Sequence, residues 1–283
     1  MKTIRSVKKI FKSIPTLEGA GVHLKRAFGY HQVPELDPFL MLDDFHSSSP
    51  SEYIAGFPWH PHRGIETISY ILKGLVEHGD SMGNKGVIGE GEVQWMTAGR
   101  GIIHQEMPRG EKDGRLWGFQ LWSNLPASYK MMTPRYQEIK APQIPEVTLT
   151  DGVTAKVICG SVNGAQGPVR DIVTDPEYLD VTMPASSVFE HPVKGGHTVF
   201  AYVIEGQAGF DEVKTSIGVE TVVLFHDGDG LMIKAGSAGC RFLLVSGKPL
   251  GEPVAWYGPI VMNTEEELDV ARRELSDGTF IKD

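Results

Sequence analysis

Thr67-Ile68-Ser69-Tyr70-Ile71-Leu72-Lys73-Gly74 alternates with a period of two and stops at a glycine, the pattern of a β-strand closed by a turn. Its last six residues recur in kind as Ala201-Tyr202-Val203-Ile204-Glu205-Gly206, at an offset of 132. Further along, Gly91 answers to Gly228 and Ala98-Gly99 to Ala235-Gly236, both at an offset of 137. Two correspondences that agree across one small insertion predict an internal duplication of an all-β unit. Leu116-Trp117-Gly118-Phe119-Gln120-Leu121-Trp122 reads as a further strand, and the proline-punctuated Ala141-Pro142-Gln143-Ile144-Pro145 reads as the join. The expected domains are therefore 1–140 and 141–283. Thr264 with Glu267 forms a capping box, Leu268, Ala271 and Leu275 follow at helical spacing, and Gly278 ends the run, so one short C-terminal helix is expected in the second domain. Arg272 and Arg273 fall late in that helix, where cations suit its dipole, and read as structural.

Composition agrees. With 33 Gly and 18 Pro among 283 residues, a helical bundle would be interrupted repeatedly, whereas short strands joined by turns tolerate both. Hydrophobic residues at 41% and charged residues at 22% match ordinary globular usage and disfavour disorder. A net charge of −9 disfavours direct nucleic-acid binding. Lys2, Arg5, Lys8, Lys9 and Lys12 precede the first acid, Glu18; Ile4, Val7, Ile10 and Phe11 among them favour a first strand with a solvated face over a basic arm or transit peptide. No run approaches the roughly 18 apolar residues of a membrane helix. Cys159 and Cys240 show no ligand spacing and read as buried thiols, so cytoplasmic residence is expected.

Two patterns carry chemistry: Trp59-His60-Pro61-His62-Arg63-Gly64 and Gly101-Ile102-Ile103-His104-Gln105-Glu106. Each places two ligand types at i and i+2, which on a strand share a face about 6.5–7 Å apart. Two such strands can aim four ligands at one ion. Nitrogen and carboxylate oxygen without thiolate suit iron, nickel, copper, manganese or zinc. Glu66 shares the parity of His60 and His62 and stays open as an alternative carboxylate ligand. Phe57, Trp59, Met96, Phe119 and Trp122 are candidate walls for an apolar ligand, with ordinary core packing the competing reading for each. Arg63 and Arg100 flank the ligand strands as candidate anion holders or as salt-bridge residues.

The stretches from Gly56 to Gly74 and from Gly91 to Glu106 resemble the two cupin motifs. More narrowly, Phe57-Pro58-Trp59-His60-Pro61-His62-Arg63-Gly64-Ile65-Glu66-Thr67 and Gln94 through Pro108 resemble the pirin family, as do Gln120 through Pro126 and Glu252 through Thr264. The resemblance covers nearly the whole chain. It implies a bicupin, two stacked β-barrel or jelly-roll domains with a short C-terminal helix, whose N-terminal barrel holds one divalent transition metal, Fe(II) first and Ni, Cu, Mn or Zn after it. The ligands it implies are His60, His62, His104 and Glu106. Many cupins place their carboxylate at the position of Glu66; pirins place it two residues after the third histidine, which favours Glu106.

The resemblance also implies quercetin 2,3-dioxygenase activity on a flavonol and dioxygen, releasing carbon monoxide. That chemistry needs a base, and Glu106, at once a carboxylate and an exchangeable ligand, is the expected one. A second function from another class is a non-catalytic, redox-responsive iron protein that binds a transcription factor or a metabolic enzyme. The duplicate half is expected to be metal-free, because His60, His62, His104 and Glu106 fall on Pro192, Lys194, Arg241 and Leu243, and His191 and His197 do not repeat the pair spacing. Its expected use is support or partner docking. The chain is expected to be a monomer without membrane contact, cytoplasmic, or nuclear as well in a eukaryote.

Overall fold

A computed structural model describes residues 3–33, 35–210 and 216–282; Lys2 lies outside them. The chain is built from strands, with one α-helix, Glu265–Ser276, among the described residues. It divides into two compact units, and neither follows the expected cut at 140/141. One unit combines 15–30 and 39–141 with 250–283, and the other combines 1–14 and 31–38 with 142–249. The terminal helix, expected in the second domain, thus belongs with the first ligand-bearing half, and the opening strand belongs with the second half.

The first unit holds a seven-stranded sheet, in order Arg135–Ile139, Val93–Thr97, Ile65–Lys73, Leu116–Asn124, Phe39–Ser47, Val22–Phe28 and Ile14–Glu18, and a four-stranded sheet, Phe57–His62, Ile102–Arg109, Leu75–Asp80 and Lys85–Ile88. Ile71 and Phe45 of the larger sheet share one core with Val76 and Ile88 of the smaller. The two sheets form a jelly roll, and no closed barrel is present among the described residues. Burying Trp95 and Phe119, at 1% and 0% exposure, contributes about 2–3 kcal/mol each.

Gly64 makes the transfer between sheets. It sits at φ +78°, and a β-carbon there would lie 1.9 Å from the Val261 carbonyl oxygen. The chain turns at this point from the His60 strand into the Ile65–Lys73 strand of the other sheet. Parity does not carry through such a turn, which is why counting by twos from His62 to Glu66 misleads.

The second unit is a nine-stranded network around the long Gly230–Gly247 strand, with Val7–Lys12 paired to Thr221–Phe225. The first strand therefore forms as expected, yet Ile4 and Ile10 are 43% and 47% exposed rather than core. Arg5 is instead the buried residue, donating to the carbonyl oxygens of His197, His226, Lys194 and Gly228. Cys159 and Cys240 are buried free thiols. His191 is satisfied by Glu177 at 2.7 Å and stacks on Phe189.

The helix begins at the expected capping box: Thr264 Oγ1 accepts from the Glu267 amide at 3.3 Å, and Glu267 Oε2 accepts from the Thr264 amide at 3.1 Å. Leu268 and Ala271 are buried in a small core with Ile260, Met262 and Phe280. Arg272 lies over the Tyr257 ring and pairs with Asp269, a structural use.

Candidate metal centre

Antiparallel pairing sets His104 directly opposite His60, and His62 follows on the same face of its strand. The three rings present ligand nitrogens within 4.8 Å of one another, the one such group of three or more His, Cys, Asp or Glu side chains among the described residues. His60 Nδ1 lies 2.8 Å from the Pro58 carbonyl oxygen, and His62 Nδ1 lies 3.2 Å from that of Pro259. A carbonyl only accepts, so both rings carry their proton on Nδ1 and turn a bare Nε2 inward.

Those inward nitrogens conflict. His60 Nε2 stands 3.0 Å from His62 Nε2 and 2.9 Å from His104 Nε2. His104 can lend one proton to His60, but the His60–His62 pair still sets lone pair against lone pair. A cation between them removes the conflict. At nitrogen–metal distances of ~2.05 Å, ligands at right angles lie about 2.9 Å apart and tetrahedral ones about 3.3 Å. The His60–His62 and His60–His104 spacings match ligands at right angles. Burial first, then the neighbouring rings, holds the His62 and His104 imidazoles well below the ordinary histidine range, keeping them neutral as ligation requires. The residues present thus fit a metal ion.

Glu106 is buried beside the histidines but outside their group. Its Oε1 accepts from Ser69 Oγ at 2.8 Å and its Oε2 from Gln120 Nε2 at 2.7 Å. The strand bulges between His104 and Glu106, so Glu106 pairs with Phe57 out of step with the His60–His104 register. Glu66 also lies outside the group; its Oε1 accepts from Thr97 Oγ1 at 2.7 Å, and burial pushes its carboxyl up to about 7.

A cavity of about 590 Å³ opens on His60 and His62. Phe57 and Trp122 line it, as two of the wall candidates should. Met96 and Phe119 are fully buried core, and Trp59 is 55% exposed; none of these three lines it. Tyr30 and Trp256, neither of them among the wall candidates, continue the wall with their rings. His62 meets Trp122 at 5.1 Å between centroids, Trp122 meets Trp256 at 6.0 Å, and Trp256 meets Tyr30 at 5.7 Å. Glu106 lines a smaller recess that shares Phe57, Asp43 and Gln120 with this cavity.

Arg63 is not an anion holder. It is fully buried, donates to the Arg100 and Phe280 carbonyl oxygens, pairs with Glu274 at 2.6 Å and lies over the Phe280 ring. Arg100 donates to the Lys282 carbonyl oxygen at 3.4 Å. Lys130 was missed altogether. Its buried Nζ donates to Gly64 O, Asn124 Oδ1 and Val261 O, tying the turn after His62 to the C-terminal segment.

Two jelly-roll units, one carrying three convergent histidines on paired strands, define a bicupin with a metal-binding group. The chain belongs to the pirin family: the Pirin family matches residues 21–123, and the Pirin C-terminal cupin domain matches residues 178–281. It is 45% identical over 280 residues to a pirin-like protein of Caulobacter vibrioides, covering 98% of this chain and 99% of that one. It is 40% identical to a protein of Pseudomonas aeruginosa named "Putative quercetin 2,3-dioxygenase", covering 99% of each. The crystal structure of a quercetin 2,3-dioxygenase from Acinetobacter baumannii superposes with a TM-score of 0.89 at 31% identity, covering 98% of this chain and 99% of that one.

Proposed function

We propose that this protein is an iron-dependent dioxygenase that opens the central ring of a flavonol with dioxygen and releases carbon monoxide. The observation that carries the reading is the placement of two metal-competent histidines, His60 and His62, in the wall of an aromatic-lined cavity of about 590 Å³. That volume and lining suit a flat aromatic guest. His60, His62 and His104 would hold the ion, with Glu106 the fourth ligand once one oxygen gives up its present partner. When bound, the metal supplies a Lewis acid for a substrate hydroxyl and a site for redox chemistry.

The chain's own residues do the rest. Trp122 and Trp256 orient the ring system by stacking and keep water from its faces. Ser69 Oγ and the Gln120 amide each donate to one Glu106 oxygen and so fix the orientation of its carboxyl group beside the histidines. Gln120 faces both the cavity and Glu106, so the flavonol hydroxyl proton reaches Glu106 Oε2 when that hydroxyl replaces the Gln120 amide as its donor. Names borne by the Pseudomonas and Acinetobacter relatives support this reading. The test is stoichiometric: iron-loaded protein given a flavonol consumes oxygen and releases carbon monoxide over many turnovers. A single turnover or none, with partner affinity that changes between ferrous and ferric protein, would instead favour the regulatory function.

A further inference from the structure

The cavity has a second polar corner that the metal reading does not use. Arg26 and Asp43 are cross-strand partners. Arg26 grips Asp43 with both arms, Nε to Oδ1 at 2.9 Å and Nη2 to Oδ2 at 2.8 Å, and the same Nη2 pairs with Glu18 Oε1 at 2.9 Å. All three residues line the cavity together with His60 and His62. Two carboxylates against one guanidinium leave this corner with a formal charge of −1. Asp43 is closed off at 4% exposure, while the Glu18 side chain remains 41% exposed.

Neighbouring side chains on the wall are engaged before a ligand enters. Gln120 donates to Glu106 and accepts from Trp122 Nε1, and Trp256 Nε1 donates to the Gly258 carbonyl oxygen at 2.7 Å. A ligand whose metal-seeking oxygen lies at the histidines therefore meets, at this corner, carboxylate acceptors with a pinned cation between them. Such a corner rewards a hydroxyl that donates. It penalises a methyl ether, which leaves the acceptor dry and unmatched, and it repels a sulfate or carboxylate. A cationic group would approach Arg26 as well as the acids.

We propose that Glu18, Arg26 and Asp43 form a hydroxyl-reading subsite, selecting aromatic substrates that carry free phenolic hydroxyls on a ring other than the one offered to the metal. This rests on the flavonol reading above and narrows it to unconjugated polyhydroxylated members. Glu18 is the specificity-determining residue, and Arg26 positions it.

The test is anaerobic titration of iron-loaded protein, with binding followed by flavonol absorbance so that turnover plays no part. The probes are quercetin, its 3′,4′-dimethyl ether and its 3′-sulfate. Quercetin is expected to bind roughly tenfold or more tightly than the ether and more tightly still than the sulfate, the effect of one hydrogen bond to a charged acceptor. In Glu18→Gln the quercetin-to-ether ratio falls to within about twofold and the sulfate penalty shrinks, with iron content and melting temperature as controls. Equal binding of quercetin and ether by the wild-type protein, or an undiminished ratio in the variant, overturns the subsite and leaves the flavonol reading standing. If none of the three probes binds, the flavonol reading itself falls and the subsite with it.

Discussion

The carbonyl oxygen of Pro259 lies 3.2 Å from His62 Nδ1, across 197 positions of sequence. This contact fixes which nitrogen of His62 turns toward His60, and it comes from the same C-terminal stretch that supplies Trp256 to the cavity wall. Outer partners of this kind commonly matter ten- to a hundredfold in metal affinity.

Removing the third imidazole should empty the centre. Protein purified without added metal is expected to carry about one transition-metal ion per chain, and His104→Ala almost none, while its far-ultraviolet circular dichroism stays that of a β protein. Adding ferrous iron should raise the melting temperature of the wild type, since an ion at a hundred times its dissociation constant stabilises by about 2.7 kcal/mol. Elemental analysis showing equal metal in the variant would take His104 out of the ligand set.

Glu106→Gln separates holding metal from moving a proton. The amide can no longer accept from both Ser69 and Gln120, which costs about 1–3 kcal/mol of stability. Metal should remain partly bound, and carbon monoxide release should drop by a hundredfold or more. Turnover within a few-fold of wild type would show that the base lies elsewhere.

Gly64→Ala tests the turn. A β-carbon 1.9 Å from the Val261 carbonyl, at a positive φ, forces the backbone to shift and should cost about 2 kcal/mol or more by urea denaturation. Metal affinity should fall with it, because His62 lies two residues away. A variant as stable as wild type would mean that the C-terminal segment yields readily.

Lys130 predicts a pH dependence. Burial lowers its pKa from 10.5 to about 7, against the pull of Glu252 and Glu267. Between about pH 7 and 10.5 the unfolded chain then binds a proton that the folded one does not. Stability gains from this group as pH rises through that window, by at most about 1.4 kcal/mol per pH unit, and the penalty is complete below it. Lys130→Met should be the less stable protein at pH 10, since even a neutral amine donates two of these hydrogen bonds and the thioether none. The gap between the two proteins should widen from pH 7 to pH 10 in denaturant titrations. A constant or narrowing gap would show that the three acceptors keep Lys130 an ammonium.

What was legible in the sequence was what a strand writes locally. His60, His62 and His104 could be found because alternate residues share a face and two strands each carried such a pair. The capping box of Thr264 and Glu267 was readable for the same reason: its partners are three residues apart. Glu106 was harder, because the bulge after His104 breaks the register and Ser69 and Gln120 come from the other sheet. Arg63 and Arg100 adjoin the ligand strands, yet their partners sit near the C-terminus, and nothing near them in sequence announces it. Tyr30, Lys130, Trp256 and Pro259 join the site through contacts that only the folded chain creates.

The way the two units share the chain has a practical consequence for anyone dividing the gene. Each unit draws on material from both sides of the 141/142 boundary. A fragment stopping there would lack the helix, Trp256 and Pro259, and its complement would lack the edge strand and Arg5. The duplication visible in the sequence is thus no longer a pair of portable modules, and scissors applied at the linker yield two incomplete halves.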